Sequence, residues 1–179
     1  MDNVQIGKFL SFVLRHNPQS IGLELDDKGY ADVNELIRLA NKSKGNILDV
    51  NKLCEIVETN NKKRYSFNEN KSKIRANQGH SINVDVELKP KEPPKILYHG
   101  TATRFSDSIK KQGLIPKGRL HVHLSRDVET AITVGKRHGK PIIFQVDCEA
   151  MLSDGYTFYL SENNVWLTDN VPCRYLTEN

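Results

Sequence analysis

Arg15 and His16 stand side by side at the end of an amphipathic segment, "SFVLRH", just before Asn17-Pro18. A guanidinium beside an imidazole can grip an anion and steer or remove a proton. The same pair can also cap the negative end of a helix dipole. Three more arginines, Arg64, Arg75 and Arg119, fall in separate segments. Arginine's planar fork suits phosphate oxygens that must be held in fixed geometry, where lysine would serve for diffuse charge. Spacing alone leaves open whether the four converge. A second group is rich in histidine. "LYHGT" places His99, Gly100 and Thr101 where a strand gives way to a loop, with Gly100 open to close approach by a ligand. Further on, "HVHLS" sets His121, His123 and Ser125 on one strand face at period two. Two histidines so spaced could begin a metal site, but no nearby carboxylate or cysteine completes a ligand set, and no metal is expected.

These side chains need elements to hold them. Ile6, Phe9, Leu10, Val13 and Leu14 recur at helical spacing, which predicts a helix with His16 turned onto its packed face. Asp27-Lys28-Gly29 reads as a turn, and Asp32 with Glu35 as a capping box that starts a second helix. "ILDVNKLCEIVETN" reads as a third helix with Asp49 near its N-cap, and "KKRYSF" and "SKIRAN" as two strands around a polar turn. Helices followed by a hairpin are the pattern of a winged-helix unit, and equally of a small α+β lobe without that topology. Residues 86–94, "VELKPKEPP", read as a linker between lobes at 1–85 and 95–179. Beyond it the pattern predicts strands at "KILYHGT", "HVHLS", "PIIFQVD", "YTFYL", "NVWLT" and "CRYL". Helices are predicted at "RFSDSIKKQG" and "DVETAITVGKRHG". The fold class is α+β. No dinucleotide-binding or P-loop glycine pattern is present.

Composition narrows the partners. The net charge of +4 is uneven: residues 1–88 carry 13 Lys+Arg against 12 Asp+Glu, residues 89–145 carry 12 against 4, and residues 146–179 carry 1 against 6. Residues 62–75 hold six cations and one acid. Two basic clusters in different segments suit a polyanion, although lysines also serve as an ordinary solvated surface. The three cysteines are widely spaced without a CxxC, so neither a disulfide framework nor a zinc site is indicated. No apolar run could span a bilayer and no segment reads as a signal peptide. A cytoplasmic monomer without membrane contact is expected.

"LSFVLRHNP", "DKGYADVNELI", "KKRYSF", "IRANQGHS", "LYHGT", "IKKQGLIP", "HVHLS", "VGKRHGKP" and "VWLT" occur in this order across nearly the whole chain. Together they closely resemble the tRNA 2′-phosphotransferase family, NAD-dependent enzymes of RNA repair and tRNA splicing. The resemblance implies an N-terminal winged-helix RNA-binding lobe and a C-terminal ADP-ribosyltransferase-like lobe that binds NAD. It implies that NAD is a co-substrate and that the second partner is a 2′-phosphorylated RNA, as at a tRNA splice junction. The family's essential Arg-His-Arg-Arg set maps onto Arg15, His16, Arg64 and Arg119, which are expected to converge on one cleft. His99, Gly100 and Thr101, with His123 and Ser125, would hold nicotinamide and its ribose. Arg75, Gln78, Gly79, His80 and Ser81 would contact the RNA.

In that family the RNA 2′-phosphate attacks the anomeric carbon of the nicotinamide ribose and expels nicotinamide. The ribose 2″-hydroxyl then attacks phosphorus, releasing 2′-OH RNA and ADP-ribose 1″,2″-cyclic phosphate. Arginines suit the second step, where negative charge builds on phosphate oxygens. Protein-modifying ADP-ribosyltransferases carry a glutamate on a late strand. Here Gln145 and Val146 fall near that place, and neither Asp147 nor Glu149 is assigned the role. That departure fits a nucleophile that is already an anion.

Overall fold

In a computed structural model, which describes residues Met1–Asn179, the chain divides into two compact units, Met1–Glu87 and Leu88–Asn179. The first opens with α1 (Asn3–Arg15). The Asp2 carboxylate accepts from Gln5 N–H at 2.7 Å, and the Gln5 side chain accepts from Asp2 N–H at 3.0 Å. This reciprocal cap satisfies two donors that a helix start otherwise leaves unpaired. After a 3-10 turn come β1 (Tyr30–Asp32), α2 (Val33–Lys44), α3 (Val50–Glu58), β2 (Tyr65–Phe67) and β3 (Lys73–Ala76). The strands form one antiparallel sheet in the order β1-β3-β2, with Arg75 of the central strand opposite both Tyr30 and Ser66. Ile6, Leu10, Val13 and Leu14 of α1 meet Leu36, Leu53, Ile56 and Ile74 in a shared core. Burying each such side chain stabilises the unit by about 1.5–3 kcal/mol.

Three local expectations change here. β1 is a third strand that the periodicity did not show, because three residues are too few to alternate visibly. Asp32 does cap α2, accepting from Glu35 N–H at 2.9 Å, but Glu35 turns to Arg38 at 2.6 Å instead of completing the box. His16 leaves helical geometry (φ −125°, ψ −44°) as the C-cap of α1 and is exposed, not turned onto the packed face.

The second unit contains β4 (Ile96–Ala102), α4 (Ser106–Gln112), β5 (Val122–Leu124), α5 (Val128–Gly135), β6 (Pro141–Asp147), α6 (Cys148–Ser153), β7 (Phe158–Leu160), β8 (Trp166–Thr168) and β9 (Leu176–Glu178). Two antiparallel sheets, β4-β6-β9 and β5-β8-β7, are joined by a bridge between Tyr98 and Ser125. Leu97, Phe144, Val146, Met151, Phe158 and Trp166 fill the core. The proline-rich run expected as a linker is divided: Glu87 ends the first unit, while Pro90 bridges Tyr159 and Lys91 N–H donates to Phe158 O at 2.9 Å. α6 was not expected. It starts on Asp147, whose carboxylate accepts from Ala150 N–H at 2.9 Å, and that employment accounts for Asp147. In "CRYL", Cys173–Tyr175 is a 3-10 turn and the strand begins at Leu176. The longest helix has 13 residues, and none is long and apolar enough to cross a membrane.

Candidate active site

In the first unit the segment after β3 returns to the end of α1. Ser81 N–H donates to the Arg15 carbonyl at 3.0 Å, and Ser81 Oγ lies 2.9 Å from His16 Nδ1. A serine therefore fixes both the backbone that carries Arg15 and the ring of His16. Arg15 is half-buried and His16 exposed, so the pair stands at the surface with its orientation set from behind.

Arg64 is presented from a tight turn just before β2. Asn60 closes the turn, its carbonyl accepting from Lys63 N–H at 2.8 Å and its side chain from Arg64 N–H at 3.2 Å. Asn77, 6% exposed, completes the frame. Its backbone N–H donates to Arg64 O at 2.9 Å, its side-chain amide donates to Lys63 O at 2.7 Å, and its carbonyl accepts from Ser66 Oγ at 2.6 Å. Asn60 and Asn77 were missed as positioning residues. The signal available was two asparagines bordering the basic hairpin, each able to satisfy a turn backbone with its own amide.

Arg75, Gln78, Gly79 and His80 sit behind this surface. Arg75 is buried; its Nη1 contacts Glu87 at 3.2 Å and its guanidinium lies 4.5 Å over the Tyr30 ring. Gly79 adopts φ +83°, a conformation that suits glycine, and so turns the chain between Gln78 and His80. His80 is 2% exposed, and burial first, then the neighbouring Arg15, His16 and Arg75, pushes its pKa down to about 4. It is neutral, and its Nε2 has no hydrogen-bond partner, as is also true of buried Gln78 Oε1. Arg75 and His80 thus shape the surface from beneath, whereas Ser81 is exposed on it.

In the second unit, the Tyr98–Ser125 bridge draws "LYHGT" and "HVHLS" together: Tyr98 N–H donates to Ser125 O at 2.8 Å, and Ser125 N–H to Tyr98 O at 2.7 Å. His99 lies in the interior of β4, not at its end. Its Nδ1–H donates to His123 O at 3.0 Å, and burial holds the ring's pKa down. A neutral ring with its proton committed on Nδ1 presents Nε2 as an acceptor. Arg119 Nη1 stands 2.5 Å from His123 Nδ1. Because a guanidinium only donates, His123 Nδ1 is the acceptor in this contact.

Gly100 has a packing reason that its motif did not show. A Cβ there would lie 1.7 Å from Ala131 O, so the glycine admits the backbone of α5. Gly135, one turn along α5, packs in the same way: its Cβ would meet Thr101 O at 2.8 Å. Thr101 is itself 8% exposed. The glycines of this region seat a helix tightly on β4 and so fix the strand that carries His99. His121 lies 3.8 Å from Asp169 and edge-on to Tyr159 at 5.8 Å. No group of three His, Cys, Asp or Glu side chains is placed to hold a metal.

The chemistry this allows is anion binding by the half-buried Arg15 and Arg64 in one unit, and hydrogen bonding by His99 and His123 beside Arg119 in the other. Comparison with known proteins agrees. Residues 1–170 match the family model described as RNA 2′-phosphotransferase, Tpt1 / KptA family. A probable RNA 2′-phosphotransferase of Flavobacterium johnsoniae is 58% identical over 171 residues, covering 96% of this chain and 93% of the relative. Another, from Fusobacterium nucleatum, is 57% identical over 178 residues, covering 98% and 99%. A third, from Acaryochloris marina, is 53% identical over 173 residues, covering 97% and 95%. This chain belongs to the RNA 2′-phosphotransferase, Tpt1 / KptA family.

Proposed function

We propose that this protein is an NAD-dependent RNA 2′-phosphotransferase that removes an internal 2′-phosphate, of the tRNA splice-junction type, by way of an ADP-ribosylated phosphate. The observation that carries the reading is the family match along residues 1–170. The antiparallel order β1-β3-β2 beside three helices supports a winged-helix N-terminal unit, and the paired short sheets support an ADP-ribosyltransferase-like C-terminal unit.

NAD is a substrate here. Its nicotinamide ribose needs hydrogen-bond partners that do not compete by ionising, and neutral His99 meets that need, with an Nε2 able to accept from a ribose hydroxyl. Ser125, in the same antiparallel bridge as Tyr98, adds a hydroxyl nearby. The 2′-phosphate of RNA binds Arg15, Arg64 and Arg119. In the first step a phosphate oxygen forms a bond to the anomeric carbon, and nicotinamide leaves with the electron pair of its glycosidic bond. The nucleophile is already an anion and the leaving group is good, so positioning is the main demand. In the second step the ribose 2″-hydroxyl attacks phosphorus and loses its proton, while the RNA 2′-oxygen leaves and becomes a hydroxyl. His16, oriented by Ser81, steers or accepts that proton. The arginines stabilise the charge that accumulates on the phosphate oxygens, a donor set typically worth ~10²–10³ in rate per donor.

The test is to incubate the protein with NAD and a 2′-phosphorylated oligonucleotide and identify the products. The expected set is 2′-OH RNA, nicotinamide and ADP-ribose 1″,2″-cyclic phosphate. Nicotinamide release that stops at ADP-ribosylated RNA would reduce the reading to its first step, and no release at all would overturn it.

A further inference from the structure

The C-terminal unit carries a second concentration of positive charge, separate from Arg119. α5 ends in a 3-10 turn, Lys136–His138, followed by Gly139 and Lys140, all exposed. This turn abuts the end of β4: Thr103 N–H donates to Lys140 O at 2.9 Å, and a Cβ at Gly139 would lie 3.1 Å from Arg104 Nη1. Arg104 stacks 4.6 Å over the Phe105 ring, and Lys117 Nζ reaches the same ring at 5.9 Å. Arg104, Lys117, Lys136, Arg137 and Lys140 therefore occupy one surface.

None of the five forms an ion pair. Three cations elsewhere in the unit do meet carboxylates: Lys95 with Glu149 at 3.0 Å, Lys110 with Glu178 at 2.7 Å, Arg174 with Asp154 at 3.4 Å. Asp107, on the first turn of α4, pairs with none of the five. Like charges left together raise the free energy of the free protein, and a polyanion relieves that cost on binding. The patch also lies at the end of the strand that carries His99, because Arg104 stands two residues beyond the last residue of β4, Ala102.

We propose that this patch binds the phosphodiester backbone of the RNA on nucleotides flanking the reacting phosphate. The proposal rests on the reading above that RNA is the substrate. Five uncompensated cations exceed what the two charges of a dinucleotide pyrophosphate would call for, and they suit a chain of phosphates. Contacts of this kind fix register without reading sequence.

Two variants test it. Lys136→Gln/Arg137→Gln changes only exposed side chains. A second variant adds Arg104→Gln and Lys140→Gln, with thermal melting to verify its fold. The probe is a fluorescein-labelled RNA of roughly 20 nucleotides without a 2′-phosphate, followed by anisotropy across a salt series. Each lost contact removes ~0.7 from the slope of log affinity against log salt for a single strand, so the double variant flattens it by ~1.4 and binds roughly 25-fold more weakly near 0.1 M salt. In turnover, KM for a long 2′-phosphorylated RNA rises, while KM for NAD and for a 2′-phosphorylated trinucleotide holds. Unchanged RNA affinity and slope in both variants would overturn the proposal, as would a wild type that fails to bind the probe. A raised KM for NAD with RNA binding intact would overturn it in favour of a pyrophosphate site. If the wild type binds the probe through these residues yet does not process the long 2′-phosphorylated RNA, the patch stands and the phosphotransferase reading fails.

Discussion

The N-terminal unit holds its candidate side chains at the ends of elements: His16 one residue beyond α1, Arg64 in the turn before β2, Ser81 in the coil after β3. The C-terminal unit holds its own largely within strands: His99 inside β4, His123 inside β5, and Ser125 bridged to Tyr98. The first arrangement leaves these groups partly open to water and fixes them by side chains such as Asn77 and Ser81. The second packs the His99 imidazole against the His123 carbonyl, where burial holds its pKa down. A phosphate clamp requires the former, because charge must survive until an anion arrives. A surface that recognises a ribose requires the latter, because a neutral ring offers a defined acceptor.

Two glycines sharpen the contrast in how rigidly each unit is built. Gly100→Ala should cost about 3 kcal/mol or more, since its Cβ would collide with the Ala131 carbonyl and neither strand nor helix can yield cheaply. Hydrogen exchange should then show lost protection in β4, β6 and α5, with α1 and β3 unaffected; uniform protection would mean that α5 can shift away. Gly7→Ala in α1 meets no atom within 4 Å. It should raise stability by about 0.5–1 kcal/mol, the least effect predicted here, through helix propensity alone.

Between these extremes lies His80. Its folded pKa of about 4 is below the unfolded value of 6.5, so the unfolded state binds more protons in that interval. Stability is therefore complete above 6.5, is lost as pH falls toward 4, and levels off below. The loss amounts to about 3 kcal/mol at most. Denaturant titrations at several pH values should show His80→Asn with a flatter profile than wild type. Parallel profiles would mean that the buried ring does not titrate as its surroundings require. Ser81→Ala comes next in size. Losing one hydrogen bond to His16 corresponds to roughly 0.5–1.5 kcal/mol, a three- to tenfold loss expected in kcat, with KM for NAD unchanged. A rise in KM for RNA alone would make Ser81 a substrate contact, not a positioning residue.

Much of this was legible in the sequence because it rested on periodic or capping signals. α1, α2, α3 and the basic hairpin follow from apolar spacing and Asp caps, and the arginine and histidine positions follow from motifs. Where the reading missed, the cause was non-local. The face of His16 depends on where α1 stops, which Asn17-Pro18 marks only to within a residue. The packing role of Gly100 was invisible because its neighbour, Ala131, lies on a helix 31 residues later. Arg75 and His80 carry ligand-like chemistry in a motif, but the pairing of β3 between β1 and β2 and the return of the chain to α1 put them indoors.

The contrast between a charged clamp and a neutral sugar site predicts which chemical step each side chain serves. The direct test is a time course with NAD and a labelled 2′-phosphorylated oligonucleotide, resolving substrate, ADP-ribosylated intermediate and dephosphorylated product. Removing a charge-stabilising donor should slow attack on phosphorus by ~10²–10³ and the first step only partly. Arg64→Ala, Arg119→Ala and His16→Ala should each accumulate the intermediate, while the wild type passes through it without visible build-up. If all three variants slow with no intermediate at any time, these residues serve binding or the first step, and the account of the clamp is wrong.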